Sequence, residues 1–208
     1  MEENISTVRQ AYNAIADKYE SSLSEYEVCY FSEFFQSFEG ENVIDLGCGQ
    51  GRIAEFFHVK KGVNILGCDI SENMLEYAHK RNHYHQNIQF ILSDMQSVAA
   101  ALKFDAAIAS FSFIHLSYEQ ARNTLKNLKR LLKKNGSVYI SLLCGELCGY
   151  VLDPLDPHAK IFVKQYTPVE ITELLDSLNY KVTAIRYCED NDIAALSKEA
   201  MFVFCKNE

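Results

Sequence analysis

From Asn42 onward, short apolar runs alternate with amphipathic stretches, the pattern of a mainly parallel sheet covered on both faces. The apolar runs predict strands at Asn42–Leu46, Val63–Asp69, Ile88–Leu92, Phe104–Ser110, Ser137–Leu143, Tyr180–Cys188 and Met201–Cys205. Helices are expected between them at Gly51–His58, Glu72–Asn82, Tyr118–Lys133 and Pro168–Leu178. Ser71 is placed to cap the second of these helices. Thr167-Pro168-Val169-Glu170 combines an N-cap threonine, a proline at the first helical position and a glutamate at the third. Asn135-Gly136 offers a stop after the Tyr118 helix. The last two strands are joined by the polar loop Glu189–Glu199, short for a crossover helix, so an antiparallel hairpin is expected at the C-terminal edge.

Ahead of the first strand the chain has helical character, with Val8, Ala11, Tyr12, Ile15 and Tyr19 recurring on one face. The aromatic patch Tyr30, Phe31, Phe34, Phe35 and Phe38 is expected to cover the sheet or roof a ligand site. Between Cys144 and Tyr166 the pattern is irregular, with prolines at 154 and 157. This segment reads as an insertion near the mouth of a site.

Composition bounds the rest. At 208 residues the chain is expected to form one domain, spanning 1–208. A hydrophobic content of 48% with 23% charged residues suits an ordinary globular fold. The net charge of −8, with basic residues gathered only at Lys129-Arg130 and Lys133-Lys134, gives no general help in binding nucleic acid. Seven scattered cysteines, no leader and no apolar run of membrane-spanning length point to a reducing cytoplasm. Cys144 and Cys148 lack a second pair for a zinc site, and His79 and His83, one helical turn apart, lack a nearby third ligand and are expected with His85 to face solvent, so no metal is expected.

The candidate chemistry gathers where strands end. Val43-Ile44-Asp45-Leu46-Gly47-Cys48-Gly49-Gln50-Gly51 joins a strand to a helix through three alternate glycines, which let backbone approach a ligand. Such a turn commonly receives a pyrophosphate, but Asp45 would repel one and favour an ammonium or sulfonium. Asp69 ends the second strand, where a carboxylate accepts hydrogen bonds from both hydroxyls of a ribose. Asp94, after the third, is placed to take an adenine amine while the Met95 N–H donates to a ring nitrogen. Ile70, Met74 and Met95 offer apolar surface to the ring. Each of these has a plainer reading as turn or helix cap; their order at the ends of successive strands favours a ligand.

At these residues the chain resembles the class I S-adenosylmethionine-dependent methyltransferases. VIDLGCGQG (Val43–Gly51), GCDISENML (Gly67–Leu75) and FILSDMQ (Phe90–Gln96) look like their first three motifs, and FDAAIASFSFIHL (Phe104–Leu116) like the fourth strand and its sequel. AYNAIADKYE (Ala11–Glu20) is similar to a segment common in small-molecule members. The resemblance implies an α/β, Rossmann-like three-layer sandwich, with a seven-stranded, mostly parallel sheet whose last strand is antiparallel. A helical N-terminal extension (1–40) and the 144–166 insertion would be added to it. It implies S-adenosylmethionine as cofactor and S-adenosylhomocysteine as product. Gly47, Gly49 and the Cys48 backbone would cradle the methionine moiety, and Asp45 would orient its ammonium. Asp69 would hold the ribose, and Asp94 with Met95 the adenine. Ser110 would border the methyl group, Tyr12 and Tyr19 would close over the cofactor, and Arg52 would point at its carboxylate.

A sulfonium is already an activated leaving group, so a dedicated base is needed only for acceptors that hold a proton at neutral pH. His115, just past the fourth strand, is the candidate. Ala109-Ser110-Phe111-Ser112 is not the Asp/Asn-Pro-Pro-aromatic segment of adenine methylators, and no Pro-Cys pair serves cytosine chemistry. Phe111, Phe113 and Tyr150 suggest a small organic acceptor, methylated at O, N or S by a monomer or homodimer. The alternative is a non-catalytic S-adenosylmethionine-binding partner subunit. A nicotinamide reductase ranks last, since no tyrosine is followed by lysine in the Tyr-x-x-x-Lys spacing at Tyr77, Tyr139 or Tyr150.

Overall fold

The computed structural model describes residues 3–19, 23–189, 196–197 and 199–208. Glu20 and much of the loop before the last strand lie outside the described residues. Two helices, α1 (Glu3–Ile15) and α2 (Glu25–Gln36), precede the sheet. Then follow β1 (Asn42–Leu46), α3 (Arg52–Lys61), β2 (Asn64–Asp69), α4 (Glu72–Asn82), β3 (Ile88–Leu92) and β4 (Phe104–Ser110). A single 3-10 turn, Phe113–His115, leads into α5 (Tyr118–Leu131) and β5 (Leu132–Leu143). After β6 (Cys148–Leu152) and β7 (Lys160–Lys164) the chain closes with α6 (Pro168–Ser177), β8 (Tyr180–Glu189) and β9 (Glu199–Asn207).

All seven expected strands form one sheet, ordered β3-β2-β1-β4-β5-β9-β8. The first five pair in parallel, while β9 runs antiparallel to both β5 and β8. Burial on both faces explains the continuous apolar runs. In β1, Ile44 and Leu46 face the core shared with α5 and α6, while Val43 faces the one shared with α2 and α3. Along β5, Val138, Ile140 and Leu142 take the first side and Tyr139 the second. The aromatic patch resolves as cover for the sheet: Phe31 and Phe34 are fully buried against Phe57 and Tyr139.

Two expectations are corrected. The 144–166 segment is not irregular; β6 and β7 pair antiparallel, with Tyr150 opposite Phe162, as a separate two-stranded ribbon. Its outward row (Cys148, Tyr150, Leu152) is apolar rather than polar, so the alternation that marks a half-buried strand is missing from the sequence. The Tyr118 helix ends at Leu131, before Asn135-Gly136, because Leu132 is already extended and starts β5 directly. Asn135, with φ 61°, instead forms the irregularity at which the β4–β5 register shifts between Phe104↔Leu132 and Ala106↔Ser137. The helix starts behave as expected: the Ser71 and Thr167 side chains accept from the N–H groups of Met74 and Glu170.

Strand order reverses between β1 and β4, and open α/β sheets take ligands beyond the carboxyl ends of the strands at such a point. Helix α1 lies across that edge. Its Arg9 pairs with Glu72, Asn13 bonds Ser71 and Asn73, and Asn4 bonds Gln120, tying it to α4 and α5.

Candidate functional site

The three glycines of the first turn have different reasons to be glycine. All have positive φ, which suits a residue without Cβ. A Cβ on Gly47 would meet the Ser112 Cβ at 2.5 Å, and one on Gly51 would strike Asn82 and Phe90, so these two admit protein neighbours. A Cβ on Gly49 would meet nothing within 4 Å, so this glycine borders open space. The turn is held to β2 by the N–H groups of Gly47 and Cys48, which donate to the Cys68 carbonyl at 2.8 and 3.0 Å. The Cys48 N–H is therefore spent inside the turn, and its thiol, buried, is pushed well up from its usual range by loss of solvation.

Two carboxylates sit beneath and beside the turn. Asp45 is 1% exposed, and neither carboxylate oxygen has a hydrogen-bond partner among the described residues. Burial raises its pKa to about 7, aided by the nearby Asp69 charge and opposed by Arg52. Asp69 accepts from the N–H of Gly49 at 2.9 Å and from that of Ser71 at 2.8 Å. Burial raises its pKa too, against those backbone donors. Asp69 thus does the capping of the plainer reading, with the Ile70 N–H as a further backbone donor, and also faces the glycine turn; its remaining acceptor capacity is left for a ligand hydroxyl.

The ring-side residues divide. Asp94 caps its own turn, accepting from the N–H of Gln96 at 2.8 Å. Met95 is half-buried, with its Cε brought close to Gly47, and Ile70 is half-buried against the same core. Met74 is buried among Ile15 and Ala16, under the end of α1. Ser110 meets the Ser141 hydroxyl at 3.0 Å, and Ser141 accepts from the N–H of Phe111, which has φ 49°.

Arg52 is the clearest departure. Its guanidinium forms a two-pronged pair with Glu27, both contacts at 2.8 Å, rather than standing free for a ligand carboxylate. Glu27 is buried, and its carboxylate also accepts from the N–H of Ser24 at the start of α2. The Ser24-x-x-Glu27 capping box was visible in the sequence; the reach of Glu27 to Arg52 was not.

Beyond the end of β4 the structure joins two residues predicted separately. The Tyr12 hydroxyl lies 2.8 Å from His115 Nε2, and the rings meet edge to face. His115 Nδ1 lies 2.8 Å from the Phe162 carbonyl of β7. A carbonyl only accepts, so Nδ1 carries the proton and Nε2 takes the hydrogen bond from Tyr12. Burial lowers the His115 pKa from its usual value, which keeps the ring neutral at pH 7. Tyr19 stacks edge to face on Tyr12, and burial raises both phenols. Sequence reading missed Asp153, a buried acid after β6, and the buried Ser112 hydroxyl at the glycine turn.

The geometry now stands beside known proteins. A family model described as a methyltransferase domain matches residues 43–136. Residues 43–136 thus match a methyltransferase domain, and the seven-stranded fold is the Rossmann-like one of solved methyltransferases. Juvenile hormone acid O-methyltransferase from Bombyx mori is 33% identical over 109 residues, covering 50% of this chain and 38% of that protein. Phosphoethanolamine N-methyltransferase from Plasmodium falciparum is 27% identical over 143 residues, covering 67% and 52%. The chain thus spans about half or less of these curated relatives. Magnesium protoporphyrin IX methyltransferase from Synechocystis, solved with bound S-adenosylmethionine, superposes with a TM-score of 0.74 at 16% identity. That match covers 100% of this chain and 99% of the other. The N-methyltransferase NodS from Bradyrhizobium japonicum, in complex with S-adenosylhomocysteine, gives 0.73 at 13% identity and covers 97% and 98%. Among the described residues no helix is long and apolar enough to cross a membrane.

Proposed function

We propose that the protein is an S-adenosylmethionine-dependent methyltransferase acting on a small organic acceptor, the 1–208 chain forming one catalytic unit. The observation that carries this reading is Asp45: a buried carboxylate with both oxygens unpartnered, at the end of β1 under an open glycine turn. Burying an unpaired acid is costly, and a cationic amino-acid group is the ligand that offsets that cost. A dinucleotide pyrophosphate would raise it. S-adenosylmethionine, when bound, would supply a methyl group already attached to a sulfonium leaving group.

The chain's own residues would then bind and orient. Asp45 would hold the ammonium, Gly47, Cys48 and Gly49 would line the methionine chain, and Asp69 would accept from the ribose hydroxyls. Asp94 and Met95 would take the adenine, with Ile70 along its face and Met74 supporting from beneath. Ser110 would mark the methyl end of the site, and Tyr12 and Tyr19 on the α1 side would exclude water from it. Arg52 would act through Glu27, fixing α2 beside the turn. His115, neutral with its Nε2 lone pair turned toward Tyr12, would take the acceptor's proton where there is one to take. The printed names of relatives include methylation at oxygen and at nitrogen, which supports a small-molecule acceptor and leaves its atom open. Nothing in the site favours the non-catalytic alternative. A cytoplasmic enzyme, monomeric or homodimeric, suits the composition.

Asp69→Ala tests the reading. Calorimetry should show S-adenosylmethionine binding weakened by about 1–3 kcal/mol, the loss of an acceptor for buried hydroxyls. Unchanged affinity in a folded variant would remove Asp69 from the site.

A further inference from the structure

The β6–β7 ribbon presents an inward row that begins apolar and ends in an acid. Val151 on β6 and Ile161 and Val163 on β7 turn into the core, while Tyr150 and Leu152 face outward. Asp153 continues the inward row past Val151 and is 4% exposed. The ribbon closes there through the Asp153 N–H, which donates to the Ala159 carbonyl at 3.1 Å. One carboxylate oxygen, Oδ1, accepts from the Leu155 N–H at 2.9 Å. The other, Oδ2, is buried without a hydrogen-bond partner among the described residues.

The same ribbon carries the Phe162 carbonyl that fixes the His115 tautomer, and β7 packs against both α1 and the 3-10 turn. Asp153 is therefore built into the wall that positions the Tyr12–His115 pair. Its charge is felt by both members: it pushes the Tyr12 phenol up and works against the burial that lowers His115. Tyr12 also feels the charge of Asp69.

A carboxylate needed only to tie the turn would satisfy one oxygen and leave the other in water. Here the second oxygen is buried as well, which is favourable only if something donates to it. Resting on the methyltransferase reading above, we propose that Asp153 selects the methyl acceptor. Its free oxygen binds an amine or ammonium N–H beside the Tyr12–His115 pair, so the acceptor is a small alkylamine methylated at nitrogen. An acceptor whose reacting end is a carboxylate meets like charge at the same place and is rejected. In the transfer, the ammonium gives one proton to His115 Nε2 after the Tyr12 hydroxyl turns aside. The nitrogen lone pair then forms the N–CH3 bond, the C–S electron pair remains on sulfur, and the proton passes from His115 to water.

The test uses the full chain saturated with S-adenosylhomocysteine and a matched pair of probes, n-butylamine and n-butyrate, followed by ligand-observed NMR at neutral pH. The amine should bind at least about tenfold more tightly than the acid. Asp153→Asn keeps an acceptor for the Leu155 N–H; it should abolish that preference while leaving S-adenosylhomocysteine affinity within about twofold of the parent. Equal or tighter binding of butyrate, binding of neither probe, or an unchanged preference in folded Asp153→Asn would overturn the assignment. The comparison of the two probes on the parent protein stands whether or not the variant folds. Loss of S-adenosylhomocysteine binding by the parent, read by calorimetry, would bring down the methyltransferase reading and this inference with it.

Discussion

Asp45 shows how one residue couples ligand and proton. Burial and the Asp69 charge hold its folded pKa near 7, against 3.8 for an unperturbed aspartate. A cation on its free oxygens requires the ionised form, so cofactor binding takes up the cost of ionising Asp45 below pH 7. Affinity for S-adenosylhomocysteine should therefore rise with pH up to about 7, with a proton released on binding below it. Calorimetry in buffers of different ionisation enthalpy reads that proton directly, and Asp45→Asn should release none. The sign for stability is opposite. The unfolded chain loses this proton near pH 4 and the folded protein only near 7, so Asp45's contribution is present at low pH and is lost as pH climbs between those values.

At the scale of elements, α2 and α3 are joined by the Glu27–Arg52 pair, in which the side chains are 4% and 17% exposed. Loss of the partner leaves a largely buried guanidinium poorly compensated, and removes the α2 capping box at the same time. Glu27→Ala should cost roughly 3 kcal/mol, read as a lower urea midpoint with an unchanged slope. Legibility fell along the same line. Periodicity sufficed for helices and sheet strands, whose buried faces impose a repeat. It failed for β6 and β7, a two-stranded ribbon whose outward row is apolar. Asn135-Gly136 does not stop the helix because it carries a register shift within a strand, with a positive φ at Asn135 that looks the same in sequence as a cap.

For the whole molecule, the proposed cofactor would touch β1, β2 and the turns after β3 and β4, so binding should stabilise the fold as one unit. S-adenosylhomocysteine at one hundred times its Kd contributes about 2.7 kcal/mol. In a chain of this size that should raise Tm by roughly 5–10 °C in a thermal scan. No shift at saturating ligand would argue against a site shared by so many elements.

By itself the sequence determined the seven strands and their mainly parallel character with an antiparallel C-terminal hairpin, the glycine turn, and the acids at successive strand ends. These depend on local pattern and on the sign of charge, which a linear chain displays. Only the tertiary structure decided that Arg52 belongs to Glu27, that Tyr12 meets His115, and that the β6–β7 ribbon supplies the Phe162 carbonyl to His115. Those partners lie far apart in the chain, and nothing local to either one encodes the other. Their contact exists because α1, the turn after β4 and the ribbon are packed onto one edge of the sheet.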